Sequence, residues 1–533
     1  MVPQPAPAEA SLPDALSIGA GRIQLFVRPA VATRLTSIGD ATLAYLSLFD
    51  DEIDARFEAF LAAAGMPRSE SDLVSAALSL EPTDAVILAA GGEILIARGG
   101  AASIPLYWAP TGDAVAIGTL LPVDQDRRLS RAGLIGSAAV ASLANENEPN
   151  LTTQTPLDGW LRLRRGMVSR LSAEAGLVSE HPVDLAVSGH PATERSRLVA
   201  EIRAAFASFG LGLRGHPKVL VELSGGFDST LAAIAARAQG IALLGASVHF
   251  PYYEFRFEDD IQVAVAERLA IERVRLDGES VFPFSPCDWW PRLDEPAISV
   301  VGLSHALTMA RLAASEGMSR VLVGHGGDQL FSENLLGREP VRRAPARHAY
   351  SRGAWSKVSG ILGHASASPS GMSRTSLTFS YDARLDVALK EACGVITRSP
   401  FTDLEVVRCG MAWARLSARI GARPGKEILA EAFATDLPGA VIGRRGKVPW
   451  DGVCARAYAR HGDAIASEID RVSGPLESIG LDVRWLVKRV ARLASGDAST
   501  TERDDREVIA AYALAIWLRS WGVDRVSDCE WAD

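Results

Sequence analysis

The chain has 533 residues, 48% hydrophobic and 22% charged, enough for two or three domains with sizeable cores. Its formal net charge of −9 argues against a broad nucleic-acid-binding face, so no nucleic-acid partner is expected. Five cysteines, at 287, 393, 409, 454 and 529, are odd in number and never spaced as metal ligands, which points to a reducing cytoplasm and away from disulfides or zinc. The opening MVPQPAPAEASLPDAL lacks the basic and apolar regions of a signal peptide. No run of 18 apolar residues is evident, so neither a membrane span nor a membrane partner is expected.

Residues 1–16 are rich in Pro and Ala and read as loose chain. From about 20 to 120 the pattern predicts short strands at 23–27, 85–90, 93–97, 106–109 and 114–117, with helical segments near 51–64 and 70–79. Such a mixture predicts an α+β sandwich. A linker over 185–195 and a helix over 193–209 lead into a region of alternating elements. Strands are predicted at 219–221, 242–250, 274–277 and 321–323, and helices at 231–238, 258–270 and 302–316. This α/β alternation predicts a doubly wound parallel sheet that binds ligands at the carboxyl ends of its strands. The tail, 454–533, reads as packed helices ending in an amphipathic one over 506–521.

The most informative stretch is VELSGGFDST, 221–230, where an apolar run meets a glycine turn and then a helix start. Gly225 and Gly226 permit a sharp turn and close approach of the backbone to a ligand. Free N–H groups at the helix start favour an anion there, and Ser224, Ser229 and Thr230 add hydroxyl donors. No lysine is present, so this is not the GxxxxGK[ST] loop. Asp228 within an anion site calls for a cation, and Mg²⁺ bridging carboxylate and phosphates is the natural answer. RVLVGHGGDQLF, 320–331, repeats the strand–glycine turn–acid unit with Gly324, His325 and Asp328. Asp228 and Asp328 facing one pyrophosphate make a Mg²⁺ site chemically sensible. A histidine in that turn suits proton acceptance from an ammonium nucleophile; its alternative role is to hydrogen-bond the turn backbone.

The SGGFDS stretch resembles the SGGxDS pyrophosphate loop of the N-type ATP pyrophosphatases. Over 85–455, with gaps, the chain resembles the asparagine synthetase and β-lactam synthetase superfamily. IARGGAASIPLYWAP (96–110) and TPLDGWLRLRRGMVSRL (155–171) are similar to stretches of the N-terminal glutaminase domain. Asp294-Glu295-Pro296 resembles the D-E-P step, and 320–331 the GxG[AGS]DE[LIV]F pattern with Gln329 in place of Glu. GVITRSPFTDLEVV (394–407) matches GVExRxPFLD at Arg398, Pro400, Phe401 and Asp403, with Ile396 and Thr402 departing. GKEILAEAF (425–433) and LPGAVIGRRGKVPWDGV (437–453) resemble K-x-x-L-x-E-x-F and LP…RxKxxxxDG. One departure is chemical. Val2 stands where the glutamine-dependent enzymes carry Cys, and the first cysteine is Cys287, so a thiol nucleophile is missing from the N-terminal domain.

The resemblance implies a degenerate Ntn glutaminase-like α+β sandwich over 1–185. It implies an ATP-pyrophosphatase domain of the adenine nucleotide α-hydrolase-like kind over 190–533. ATP and Mg²⁺ are the implied cofactors. Ser224, Gly225, Gly226, Asp228 and Ser229 would cradle pyrophosphate, with Gly324 beside them. Ser247 and Val248, at the tip of the second strand, would meet adenine. Asp228 and Asp328 would hold the metal, His325 would act as base, and Lys447 would stabilise charge on the adenylate and the later tetrahedral intermediate.

Within the superfamily the chain most resembles the lasso peptide cyclases, in size, in its Cys-less N-terminal domain and in the G-H-G-G-D turn. The implied substrate is a precursor core peptide whose Asp or Glu carboxylate attacks the α-phosphorus of ATP, releasing pyrophosphate. The peptide's N-terminal amine, freed by a leader peptidase working with a leader-recognition protein, then displaces AMP and closes a macrolactam. The alternative is a β-lactam synthetase-like or ammonia-dependent asparagine synthetase-like ligase acting on a small molecule. A third reading is an inactive relative that binds ATP or a peptide. The stretch 332–392 departs from the family pattern and reads either as a lid or peptide-binding segment or as a solvated insert.

Overall fold

A computed structural model describes residues 16–18, 23–38, 41–90, 93–100, 104–121, 128–142, 152–172, 174–183, 194–251, 256–331, 347–366, 383–421, 425–443, 450–496 and 502–532. The first half is made of short strands: β1 (Leu16–Ile18), β2 (Ile23–Phe26), β3 (Ala32–Ile38), β4 (Ala41–Ser47), β5 (Ala85–Ala90), β6 (Glu93–Arg98), β7 (Tyr107–Thr111), β8 (Ala114–Gly118), β9 (Arg128–Ser130), β10 (Leu161–Arg162), β11 (Met167–Ser172) and β12 (Gly176–Pro182). They form two sheets, of order β1-β2-β8-β7-β10 and β12-β11-β6-β5-β4-β3. Side chains alternate between faces along a strand. Leu25, Leu46, Ile87, Ile96, Trp108 and Ile117 therefore meet between the sheets. The other face of the six-stranded sheet, with Leu43, Tyr45, Val86 and Leu88, is covered by α1 (Ile53–Ala64) and α2 (Glu70–Ala76). The expected sandwich is found, together with a hairpin that was not expected: β3 pairs with β4 from Ala32↔Ser47 to Ile38↔Ala41.

A third helix, α3 (Arg131–Ser142), leaves the sandwich and packs among C-terminal helices. After it, α4 (Arg195–Leu211) introduces the parallel sheet: β13 (Lys218–Glu222), β14 (Ala242–His249), β15 (Glu272–Asp277), β16 (Arg320–Leu322) and β17 (Ile396–Arg398). Helices α5 (Phe227–Arg237), α6 (Arg256–Leu269) and α7 (Leu303–Ser315) connect its strands. The spatial order is β15-β14-β13-β16-β17, all parallel. Both faces are covered, which is why β13 reads as an uninterrupted apolar run. Val219 and Val221 join α4, α5 and α6 on one face; Leu220 joins α7 on the other. The chain winds outward from β13 through β14 to β15, then returns to place β16 on the opposite side of β13. The switch point of the sheet is thus between β13 and β16.

The stretch Ile298–Ser315 reaches a mean hydropathy of 1.2 over 18 residues, long and apolar enough by composition to cross a membrane. In the fold Leu303, Leu307, Met309, Ala310 and Ala313 of this stretch pack on the sheet.

The remainder is helical: α8 (Gly327–Leu330), α9 (Arg352–Ser366), α10 (Ala383–Cys393), α11 (Leu404–Arg419), α12 (Glu427–Ala432), α13 (Gly439–Ile442), α14 (Trp450–Arg471), α15 (Ser473–Ser478), α16 (Val483–Ala494) and α17 (Glu502–Ser520). A final strand, β18 (Glu530–Ala532), pairs with β9 of the first half. The expected amphipathic character of the last helix is corrected: residues 510–518 are buried on every side. Trp517 and Trp521 each donate Nε1–H to the Leu293 carbonyl, at 2.9 and 2.8 Å. All five cysteines are free thiols.

Candidate active site

Two glycine turns stand side by side at the switch point. The first leaves β13 at Leu223, whose N–H bonds the Ala246 carbonyl of β14 at 2.8 Å. Gly225 has φ +71°, a left-handed backbone that glycine adopts without cost. Gly226 caps α5, accepting bonds from Ser229 Oγ at 3.2 Å and Thr230 Oγ1 at 2.8 Å. The Ser224 and Ser229 hydroxyls are 2.9 Å apart, and the Gly226 N–H donates to Ser224 Oγ at 3.2 Å. The hydroxyls thus brace the turn, and Ser224 stays exposed at its tip.

The second turn follows β16. The Val323 N–H bonds the Arg398 carbonyl at 3.0 Å, and Gly326 has φ +93°. Here glycine is required for space as well. A Cβ on Gly324 would lie 2.7 Å from both Asp228 Cβ and the Ser229 nitrogen, and one on Gly327 would lie 2.4 Å from Asp228 Cγ. The turns therefore touch backbone to side chain, with Asp228 clasped between them.

The residue that joins them is Lys426. Its Nζ lies 2.5 Å from Asp228 Oδ2 and 2.6 Å from Asp328 Oδ1. Lys426 is the residue before α12, and Gly425 beside it is pinned through its carbonyl by Trp413 Nε1–H at 2.9 Å. Asp328 is half exposed, at 51% for its side chain, while Asp228 and Lys426 are at 15% and 21%. Two carboxylates that already meet one cationic group offer hard oxygen donors, the chemistry that suits Mg²⁺. Asp228 and Asp328 are the residues that would hold it.

Other expected site residues fall as follows. Gly324 and Asp228 are in contact. His325 is exposed on the second turn, and its carbonyl accepts from Ser399 Oγ at 2.6 Å. Ser247 has no exposed surface, and its hydroxyl donates to the Leu223 carbonyl at 3.2 Å. Ser247 thereby braces the first turn, and the half-buried Val248 follows it at the tip of β14. Lys447 lies outside the described residues, as do 332–346 and 367–382, the greater part of the expected lid.

A seam of mostly buried charges, with Asp51 open to solvent, ties the sandwich to these turns. Asp51 pairs with Arg320 at the start of β16, and Glu52 pairs with Arg398 at the end of β17. His216 Nε2 lies 2.8 Å from Asp51 Oδ2, and this hydrogen bond, reinforced by the Arg320 charge, holds the Asp51 carboxyl down at about 2. The Arg398 guanidinium rests over the rings of Phe49 and Phe209, 5.2 and 5.0 Å from their centroids. Asp294 pairs with Arg28 at 2.8 Å; Glu295 pairs with Arg162 at 2.7 Å and Arg384 at 3.0 Å. Burial first, and the neighbouring Asp403 charge second, push the Glu81 carboxyl up to about 8. Asp403 is itself raised by burial.

The asparagine synthase family matches residues 207–519, more than half of the chain. The chain belongs to the asparagine synthase family. The match begins in α4 and ends in α17, so it takes in both turns and Lys426. No curated protein matches the chain. Membership points to ATP-dependent formation of an amide bond, and the paired turns are the part of this asparagine synthase fold suited to it.

Proposed function

We propose that this chain is an AMP-forming macrolactam synthetase. It would activate the side-chain carboxylate of an Asp or Glu in a precursor peptide and join it to the peptide's own N-terminal amine, as lasso peptide cyclases do. The observation that carries the reading is the convergence of Asp228 and Asp328 on Lys426 at the switch point of the sheet. Mg²⁺ held by the two carboxylates would offset the charge of a pyrophosphate leaving group. The turn at Ser224, Gly225 and Gly226 offers backbone N–H groups and a helix start to the phosphates. Val248 borders the place of the base. His325 accepts the proton of the attacking amine, and Lys447 stabilises negative charge on the reacting acyl group.

The sandwich supports an amine supplied by the substrate. Residues 16–183 contain no cysteine, so this domain has no thiolate to release ammonia from glutamine. We read the sandwich as a degenerate Ntn glutaminase-like domain and the parallel-sheet half as an ATP-pyrophosphatase domain. The partners in this reading are the core peptide, a leader peptidase and a leader-recognition protein, in a reducing cytoplasm. Pyrophosphate exchange into ATP, measured with Asp- and Glu-containing peptides and with small amino diacids, tests it. Exchange with a peptide, followed by a product lighter by one water, is the expected result. Exchange with a small diacid alone would move the assignment to the β-lactam or asparagine branch.

A further inference from the structure

The seam borders a small, partly open pocket lined by Arg98, Pro105, Tyr107, Arg162, Arg165, Glu295 and Arg384, with room for a water-sized occupant. None of these residues belongs to the two turns. Glu295 is already shared between Arg162 and Arg384. Arg98 is buried and forms no ion pair with any described carboxylate. Its Nε and Nη2 donate to the Ile104 carbonyl at 3.1 and 2.6 Å, and its Nη1 to the Leu163 carbonyl. A guanidinium carries five N–H groups, so two remain after these three bonds to described residues. The Tyr107 hydroxyl, on a residue with no exposed surface, has no hydrogen-bond partner among the described residues. A buried donor left without an acceptor is costly, and native interiors rarely keep one. Four guanidiniums line the pocket against the single Glu295 carboxylate; burial first, with Arg165 and Arg162 adding to it, brings the Arg98 guanidinium down to about 9. The open valences here are donors in a positive field, so the occupant accepts hydrogen bonds and carries negative charge.

We propose that this pocket binds a monatomic halide, chloride or bromide, between Arg98 and the Tyr107 hydroxyl of the sandwich, where Glu295 and Arg384 of the parallel-sheet half close in. The test uses the full chain dialysed into sodium gluconate. Chloride or bromide then replaces gluconate at constant ionic strength while thermal unfolding is followed. A ligand that binds only the folded state raises Tm by mass action, so a saturable rise of about 1–3 °C is expected. Tyr107→Phe, which removes one oxygen and little volume, should abolish that rise or move its midpoint at least about tenfold, the worth of roughly one hydrogen bond to an ion. A Tm equal in chloride and gluconate, or a Tyr107→Phe response equal to the wild type, overturns the proposal. Crystals grown in bromide give an independent reading. An anomalous peak within hydrogen-bonding distance of Tyr107 Oη is expected, and a pocket without one overturns the proposal even if the variant fails to fold.

Discussion

The two glycine turns and the seam are built alike, from acids and bases brought together across long stretches of chain, yet they stand in opposite surroundings. At the turns Asp328 keeps 51% of its side chain exposed and Lys426 21%. At the seam Glu295 keeps 2%, Arg162 6% and Arg384 10%. Charges left open to water add little to stability and stay available to a ligand. Charges taken out of water stabilise only as a complete set, because removing one member is far more costly than the pair is worth. Exposure thus sets Asp328, open to a ligand, apart from Glu295 and its two arginines, which are closed to water.

The largest effect is expected at the seam. Glu295→Gln should cost about 3–5 kcal/mol of stability, read as a lowered denaturant midpoint, while leaving ATP binding intact wherever the protein is still folded. Lys426→Met should do the reverse. It should lower pyrophosphate exchange by about 10²-fold, in line with loss of one preorganised electrostatic group, with stability changed by less than about 1 kcal/mol.

The pH dependence of stability sharpens the contrast. Glu81 binds its proton more tightly in the folded seam than in the unfolded chain. Between the ordinary carboxylate value and about 8 the unfolded chain has released that proton and the folded one retains it, so stability falls as pH rises through this window. Denaturant midpoints measured across it should slope downward, and Glu81→Gln should flatten the slope. The smallest effect should come from Ser399→Ala. It removes the bond to the His325 carbonyl, worth about 0.5–1.5 kcal/mol, and should slow amide formation more than exchange.

The turns were legible because their signal is local: an apolar run, paired glycines, an acid and a helix start lie within ten residues. Lys426 was visible only as the first residue of K-x-x-L-x-E-x-F, since 198 residues separate it from Asp228 and no local pattern announces that contact. Asp294, Glu295, Arg398 and Asp403 stand out in the sequence only as matches to family patterns. In the fold they belong to the seam, and a sequence does not distinguish a buried ion pair from a functional one. The bond from the buried Ser247 hydroxyl to the Leu223 carbonyl of the neighbouring strand has no local signal either. The last helix looked amphipathic because its second covering surface, α3, comes from the other end of the chain. The β3–β4 hairpin did carry a local signal, Gly39-Asp40 between two alternating runs, which is a hairpin turn pair.

In the proposed reading the two turns, joined at Lys426, form the site where ATP meets a carboxylate. Pyrophosphate exchange in wild type and Asp228→Asn, with the same carboxylate-bearing peptide and with unfolding midpoints measured alongside, tests it most directly. Peptide-dependent exchange is expected in the wild type, with a loss of about 10²–10³-fold in the variant and no matching loss of stability. A variant that exchanges at the wild-type rate would contradict it.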